Sequence, residues 1–275
     1  MTAFYDWFEY PFLVRGFLCV LLLAPLLGGI SHLVVARRMA FFSAALGQAA
    51  ITGVCVGLLL GEPLNAPYGG MFGFCLLSTL GMVYAKRRSD LPPDTLIGVF
   101  LALTLGLGLC LLVAVTRQFN VHQVEAVLFG SLLTVTVADL LLLVVAGAGV
   151  AVVLVKHYND LLLDSLSPQL AKARGIDSAF LEYLFAVVLT IAILVSLKVI
   201  GALLVEALVV VPAAASRNIA RGTRAYLVGS VVVAFLAGAG GLAISTRLLV
   251  PTGGAVVLAA SLIFFLTLFI REIRS

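Results

Sequence analysis

Few residues in this sequence are placed to do chemistry. Glu206 lies between Val205 and Ala207, six residues into an apolar stretch. An ionised group at the centre of a bilayer costs at least about 2.5–3.5 kcal/mol on insertion scales. Glu206 therefore faces the protein interior, stays protonated, or sits near a helix end where water reaches it. The histidines His32, His122 and His157 are far apart in sequence. His157 reads as a solvated residue, whereas His32 falls near the end of an apolar run, where ionisable groups face cavities more often than lipid. Glu62, Glu125 and Asp139 would draw cations toward a mouth if they share one side, or they form ordinary solvated surface. Cys19, Cys55, Cys75 and Cys110 all sit in apolar stretches without a CxxC pair. Neither a zinc knuckle nor a redox motif is available, and they read as small buried hydrophobes. No lysine follows a glycine and no HExxH occurs. The chain thus has no phosphate loop of its own with which to hydrolyse ATP.

The elements that must carry these residues follow from composition. Of 275 residues, 63% are hydrophobic and 11% charged, and the mean hydropathy is +1.21. A soluble domain is about 45–50% apolar and about 25% charged. So little charge cannot cover a soluble surface, and the excess must face lipid. The expected fold is an all-α polytopic transmembrane bundle, a single domain over 1–275. About 20 apolar residues cross the hydrocarbon layer as a helix. That length gives spans near 11–35, 39–60, 67–85, 95–116, 132–155, 180–198, 201–215, 225–246 and 252–270. The seventh is short and contains Pro212, which removes a helix hydrogen bond and kinks or ends the helix, so the count is eight or nine. Met1–Tyr10 carries Asp6 and Glu9 where a cleavable signal would carry basic residues. The net charge of +4 comes from scattered basic groups, which is no nucleic-acid footprint.

Basic residues beside a membrane favour its cytoplasmic side. With nine crossings and an external N-terminus, thirteen of the seventeen basic residues lie inside: Arg37, Arg38, Lys86, Arg87, Arg88, Lys156, Lys172, Arg174, Arg217, Arg221, Arg224, Arg271 and Arg274. The polar segment at about 157–177 and the C-terminus are then cytoplasmic. Within that segment, Ser167-Pro168 is a helix start and Gly175 a helix stop. The result is a short amphipathic helix outside the membrane, which either rests on lipid or docks into another protein's groove; its modest hydrophobic content favours docking, with Leu166, Leu170 and Ala171 as its apolar anchors. Gly53, Gly57 and Gly61, and later Ala237, Gly241 and Ser245, recur every four residues, as close helix packing in lipid requires.

Several segments, in order, resemble the permease subunits of ABC importers for zinc and manganese. Arg37-Arg38-Met39-Ala40-Phe41-Phe42-Ser43-Ala44-Ala45-Leu46-Gly47-Gln48-Ala49-Ala50 is similar to that family's second-span signature. Asp94–Gly98 resembles the start of its fourth span, and Leu128–Leu133 the segment before the fifth. Ser167–Gly175 resembles the coupling segment. Gly201–Leu204 through Val211–Ala215 and Pro251–Gly254 resemble the later signatures. The resemblance implies a homodimeric inner-membrane permease with no bound cofactor, an ATPase subunit that supplies ATP hydrolysis, and an extracytoplasmic solute-binding protein. It implies ATPase coupling through Leu166, Ser167, Pro168, Leu170, Ala171 and Gly175. The family usually carries an Asp and a His one helical turn apart in the second span. Those positions are Ala44 and Gln48 here. Alanine offers no ligand, and zinc prefers thiolate, imidazole and carboxylate to an amide; manganese accepts oxygen donors more readily. The expected pathway residues are Ala44, Gln48 and Glu206, with Gln48 and Glu206 as the metal contacts. The alternatives are the same architecture with another cargo or a regulatory role, and an ion-driven secondary transporter. The latter would need internal repeats and several midplane acids.

Overall fold

Lipid offers no partner to a free backbone N–H or C=O, so an apolar run entering it closes its hydrogen bonds within a helix. The computed structural model describes residues 11–63, 67–116 and 135–274. Their helices are α1 Pro11–Ala36, α2 Phe42–Leu59, α3 Tyr68–Arg88, α4 Pro93–Thr116, α5 Val137–Leu166, α6 Pro168–Ala173, α7 Ser178–Ile200, α8 Ala202–Ile219, α9 Thr223–Leu248 and α10 Thr252–Arg274. All except the six-residue α6 are long and apolar enough to cross a membrane, so the described residues hold nine candidate spans.

The seventh expected span is a full helix among the described residues. It runs 18 residues and continues through Pro212 to Ile219. The break lies before it, at Gly201, whose φ of 82° is the left-handed backbone that glycine adopts without penalty. The polar segment after the fifth span also differs from expectation. It remains helical as far as Leu166, with Leu161 buried, because its leucines continue the helix's apolar surface. The loop is reduced to the short stretch around α6.

The chain divides into two compact units, and three of the limits between them fall inside helices, at 35/36, 151/152 and 194/195. The first comprises Met1–Val35, Gly130–Ala151 and Val195–Ser275, and the second Ala36–Phe129 and Val152–Leu194. In the second unit α2 packs against both α3 and α4. A Cβ on Gly53 would stand 2.7 Å from the Gly70 carbonyl oxygen, so α2 and α3 meet backbone to backbone. Thr52 donates to the Thr104 carbonyl of α4 at 2.8 Å, and the hydroxyls of Thr79 and Thr190 lie 2.7 Å apart. Gly61 serves differently from Gly53 and Gly57. With φ 89° it ends α2: its N–H donates to Leu58 and that of Glu62 to Gly57, a Schellman closure.

In the first unit α8, α9 and α10 pack against one another. Gly241 of α9 lies against the Val256 backbone of α10, and Gly238 against the Val20 side chain of α1, leaving no room for a Cβ at either glycine. Many apolar side chains of α5 and α10, such as Leu141, Val155, Leu258 and Phe265, are exposed. Hydrocarbon is as apolar as these side chains, so a span can leave them on its surface.

Candidate transport pathway and coupling site

Residues three or four apart share one face of a helix. On α2, Phe42, Ser43, Ala45, Leu46, Gly47, Ala49 and Ala50 are buried. Ala44, Gln48 and Ile51 are half-buried, and Phe41, just before the helix, is exposed. They form the one accessible stripe over this part of α2, and the expected positions Ala44 and Gln48 lie on it. The stripe offers a methyl group and one neutral amide.

Glu206 sits on an equivalent stripe of α8, in the other unit. Leu203 and Arg217 are exposed, and Glu206, Val210 and Ala214 are half-buried between them. Leu204, Val205, Leu208, Val209 and Pro212 face inward. The carboxylate thus lies on an accessible face without full exposure. Among the described residues no group of three His, Cys, Asp or Glu is arranged to hold a metal ion.

The coupling segment is built from backbone geometry. Ser167 precedes α6 with extended backbone (φ −149°), and its carbonyl accepts from Ala171 N–H at 3.1 Å. Pro168 occupies the first helical position, where its missing N–H costs nothing. At the other end Gly175 (φ 73°) donates to Lys172 and Ile176 to Ala171, a second Schellman closure. Leu166 and Leu170 are 70% and 58% exposed, whereas Ala171 is fully buried. The anchor set is corrected accordingly. Ala171 fastens α6 to its own chain, and the outward apolar face belongs to Leu166 and Leu170.

Other chemical candidates have structural employment. Asp139 and Thr136 cap α5 reciprocally: the Thr136 N–H and hydroxyl donate to the Asp139 carboxylate at 3.1 and 2.6 Å, and the Asp139 N–H donates to the hydroxyl at 3.2 Å. Lys198 approaches the same carboxylate at 3.8 Å. Glu62 accepts from the Gly70 N–H at 2.9 Å. His32 is fully buried and edge-on to the Tyr226 ring, with centroids 5.9 Å apart. His157 meets Phe180 at 6.2 Å, half-buried on α5 rather than free in a loop. Cys19, Cys55 and Cys75 are buried thiols as expected, while Cys110 is exposed. His122, Glu125 and Leu128–Leu133 lie outside the described residues.

Sequence reasoning missed a polar cluster beside α6, having read its cations only as markers of membrane side. Arg37 donates to Asp164 at 2.9 Å and to the Leu161 carbonyl at 3.1 Å. Lys86 and Arg87 of α3 both approach Glu182 of α7. Burial pulls the Arg37 guanidinium below its ordinary range, and the carboxylates of Asp164 and Glu182 oppose that pull. A cleft of about 340 Å³ adjoins the cluster, lined by Arg37, Arg38, Lys86, Asp164, Pro168 and Glu182 among others. The partners are 127 and 96 positions apart in sequence, so no local pattern announces them.

Nine candidate spans among the described residues and a short helix after the fifth define a polytopic helical membrane protein. The model of the ABC 3 transport family matches residues 9–271, and the chain belongs to that family. It is 31% identical to the high-affinity zinc uptake system membrane protein ZnuB of Haemophilus influenzae, over 96% of this chain and 97% of that one. It is 27% identical to the manganese import system permease protein ScaB of Streptococcus gordonii, over 95% and 92%. The solved PsaBC of Streptococcus pneumoniae, in complex with Fab, superposes with a TM-score of 0.81 at 26% identity, covering 97% of this chain and 95% of that one. The chain is therefore a multi-pass membrane permease subunit of an ABC transporter, and ATP hydrolysis belongs to a separate subunit.

Proposed function

We propose that the chain is the permease of an ATP-driven importer for a divalent metal cation, zinc or manganese. Two copies form the translocation unit, each bound by one ATPase subunit, and an extracytoplasmic solute-binding protein delivers the cargo. The segment around α6 and the C-terminus face the cytoplasm, in line with the thirteen basic residues assigned there. The observation that carries the ATP-driven reading is α6 itself. It is fixed at both ends and by buried Ala171, and it presents Leu166 and Leu170 outward. Such a rigid apolar knob suits a cleft on an ATPase subunit. Gln48 and Glu206, with Ala44 beside Gln48, are the pathway groups, each on the accessible stripe of its helix. The names of the full-length relatives support the metal cargo.

The test is reconstitution with the ATPase subunit. A detergent complex whose mass corresponds to two copies of each chain, with ATP-dependent uptake of radiolabelled zinc or manganese, is expected. A monomer with and without the ATPase subunit removes the assembly. In Leu170→Asp a carboxylate enters the contact without a partner, so ATPase association is lost; unchanged association reduces α6 to a linker.

One observation favours a second reading, the same architecture with another small solute. Ala44 and Gln48 give the α2 stripe a single neutral donor. ATP-dependent assembly without uptake of either metal selects it.

A further inference from the structure

If α6 is the docking element, its displacement must reach the helices that bear the pathway groups. Arg37 stands at that junction. It lies in the turn between α1 and α2, five residues before Phe42, where α2 begins. Its guanidinium bonds the Asp164 carboxylate and the Leu161 carbonyl at the end of α5, and its carbon lies 5.0 Å from the centroid of the Phe185 ring on α7. One side chain therefore touches the helix entering α6 and the helix leaving it, while its own backbone leads into α2. The ion pair is secluded: the Arg37 and Asp164 side chains are 6% and 10% exposed. The open cleft beside it is lined by Pro168, the first residue of α6, as well as by Arg37 and Arg38. Across this cleft the pair is a direct tie between the base of α6 and the start of α2.

A buried, hydrogen-bonded ion pair holds its partners directionally, and losing one partner strands a charge. Apolar surfaces slide past one another at less cost. The end of α5 and the start of α2 therefore move together. We propose that Arg37, through its buried pair with Asp164, is the positioning residue that transmits α6 displacement to α2 and its Ala44–Gln48 stripe. This rests on the reading of α6 as the ATPase docking element.

The experiment uses the permease–ATPase complex with a nitroxide on α2, attached at Ile51→Cys in a chain whose four cysteines are replaced by Ala. ATP binding is expected to shift the nitroxide spectrum in the parent. In Arg37→Gln and Asp164→Asn the complex should still assemble and hydrolyse ATP, with the spectral shift lost; the charge-exchanged pair Arg37→Asp with Asp164→Arg should regain part of it. A parent-like shift in both single variants overturns the proposal. If the single variants do not assemble, the apolar pair Arg37→Met with Asp164→Leu carries the test, since such replacements commonly preserve folding. Loss of the shift there upholds the proposal, and a parent-like shift overturns it. Leu170→Asp runs alongside. Retained ATPase binding in it refutes the docking reading and the proposal with it. Lost binding in it, with parent-like shifts in the Arg37 and Asp164 variants, refutes the proposal alone.

Discussion

The Glu62 carboxylate accepts a hydrogen bond from the Gly70 N–H at 2.9 Å, lying over Gly57 and Gly69. A carboxylate bonded to the first turn of α3 satisfies a free N–H and complements the positive end of the helix. Glu62 is thereby bound to the fold rather than held out to attract cations. On the same α2–α3 seam, Gly53→Ala would put a Cβ 2.7 Å from the Gly70 carbonyl oxygen and 2.8 Å from the Met71 Cα, backbone that cannot swing aside, and overpacking of this kind costs about 1–3 kcal/mol. A lower midpoint for Gly53→Ala in thermal melts of the detergent-solubilised protein is the expected result. Glu62→Gln keeps the acceptor oxygen and should leave uptake unchanged; a clear loss of uptake would return Glu62 to the pathway.

Most of the architecture was legible because lipid makes hydrophobicity and helix length nearly the same signal. The apolar runs became helices, and Ser167-Pro168 and Gly175 bounded α6 where turn chemistry placed them. What sequence misassigned depended on choices between local devices. Pro212 offered an end to the seventh span, yet α8 continues through it to Ile219, whereas the boundary before that span falls where expected, at Gly201, which alone takes a positive φ there. The Arg37–Asp164 pair was illegible for another reason: each residue sits in an ordinary charged joint, and only the tertiary fold joins them. Ala171, small and weakly apolar, gave no sign that it faces inward while Leu170 faces out.

Asp139 illustrates how a cap can pass for a functional acid. It shares a reciprocal pair of hydrogen bonds with Thr136 and closes the first turn of α5. Asp139→Ala should lower stability by about 0.5–2 kcal/mol, the usual range for losing a cap. Asp139→Asn, which retains an acceptor, should lose less. Thermal melts of both variants beside an uptake assay make the comparison. Uptake that falls while the melting midpoint holds would refute the capping role as the whole account.

Leu170 and Ala171 are neighbours with opposite exposures, 58% and 0%, and they should fail in different ways. Leu170→Asp changes only the outward face, so the isolated permease should melt as the parent does while losing its ATPase subunit. Ala171→Asp buries a carboxylate without a partner inside the chain, at a cost of about 3–5 kcal/mol, the range for a stranded buried charge. The isolated permease should then melt early or fail to accumulate. Equal melting midpoints for the two variants would contradict the packing of α6.

The cargo prediction turns on Gln48 and Glu206. An Asp/His pair one turn apart supplies charge and a directional lone pair, whereas the α2 stripe here supplies an amide alone. Glu206 is the one carboxylate on the accessible stripe of α8, so cation transport should depend on it and on Gln48 more than on any histidine. Glu206→Gln removes the charge with little change in shape, and metal uptake should fall by about tenfold, equivalent to ~1.4 kcal/mol. His32→Gln, assayed in the same vesicles, should reduce uptake less. Ala44→Asp with Gln48→His should tighten metal binding in equilibrium titrations while slowing turnover, because conduction needs sites that also release. Unchanged uptake in Glu206→Gln would remove that residue from the pathway. An absence of metal uptake in the parent and in the Asp/His variant alike would transfer the cargo to the second reading, since restoring both ligands would then have restored nothing.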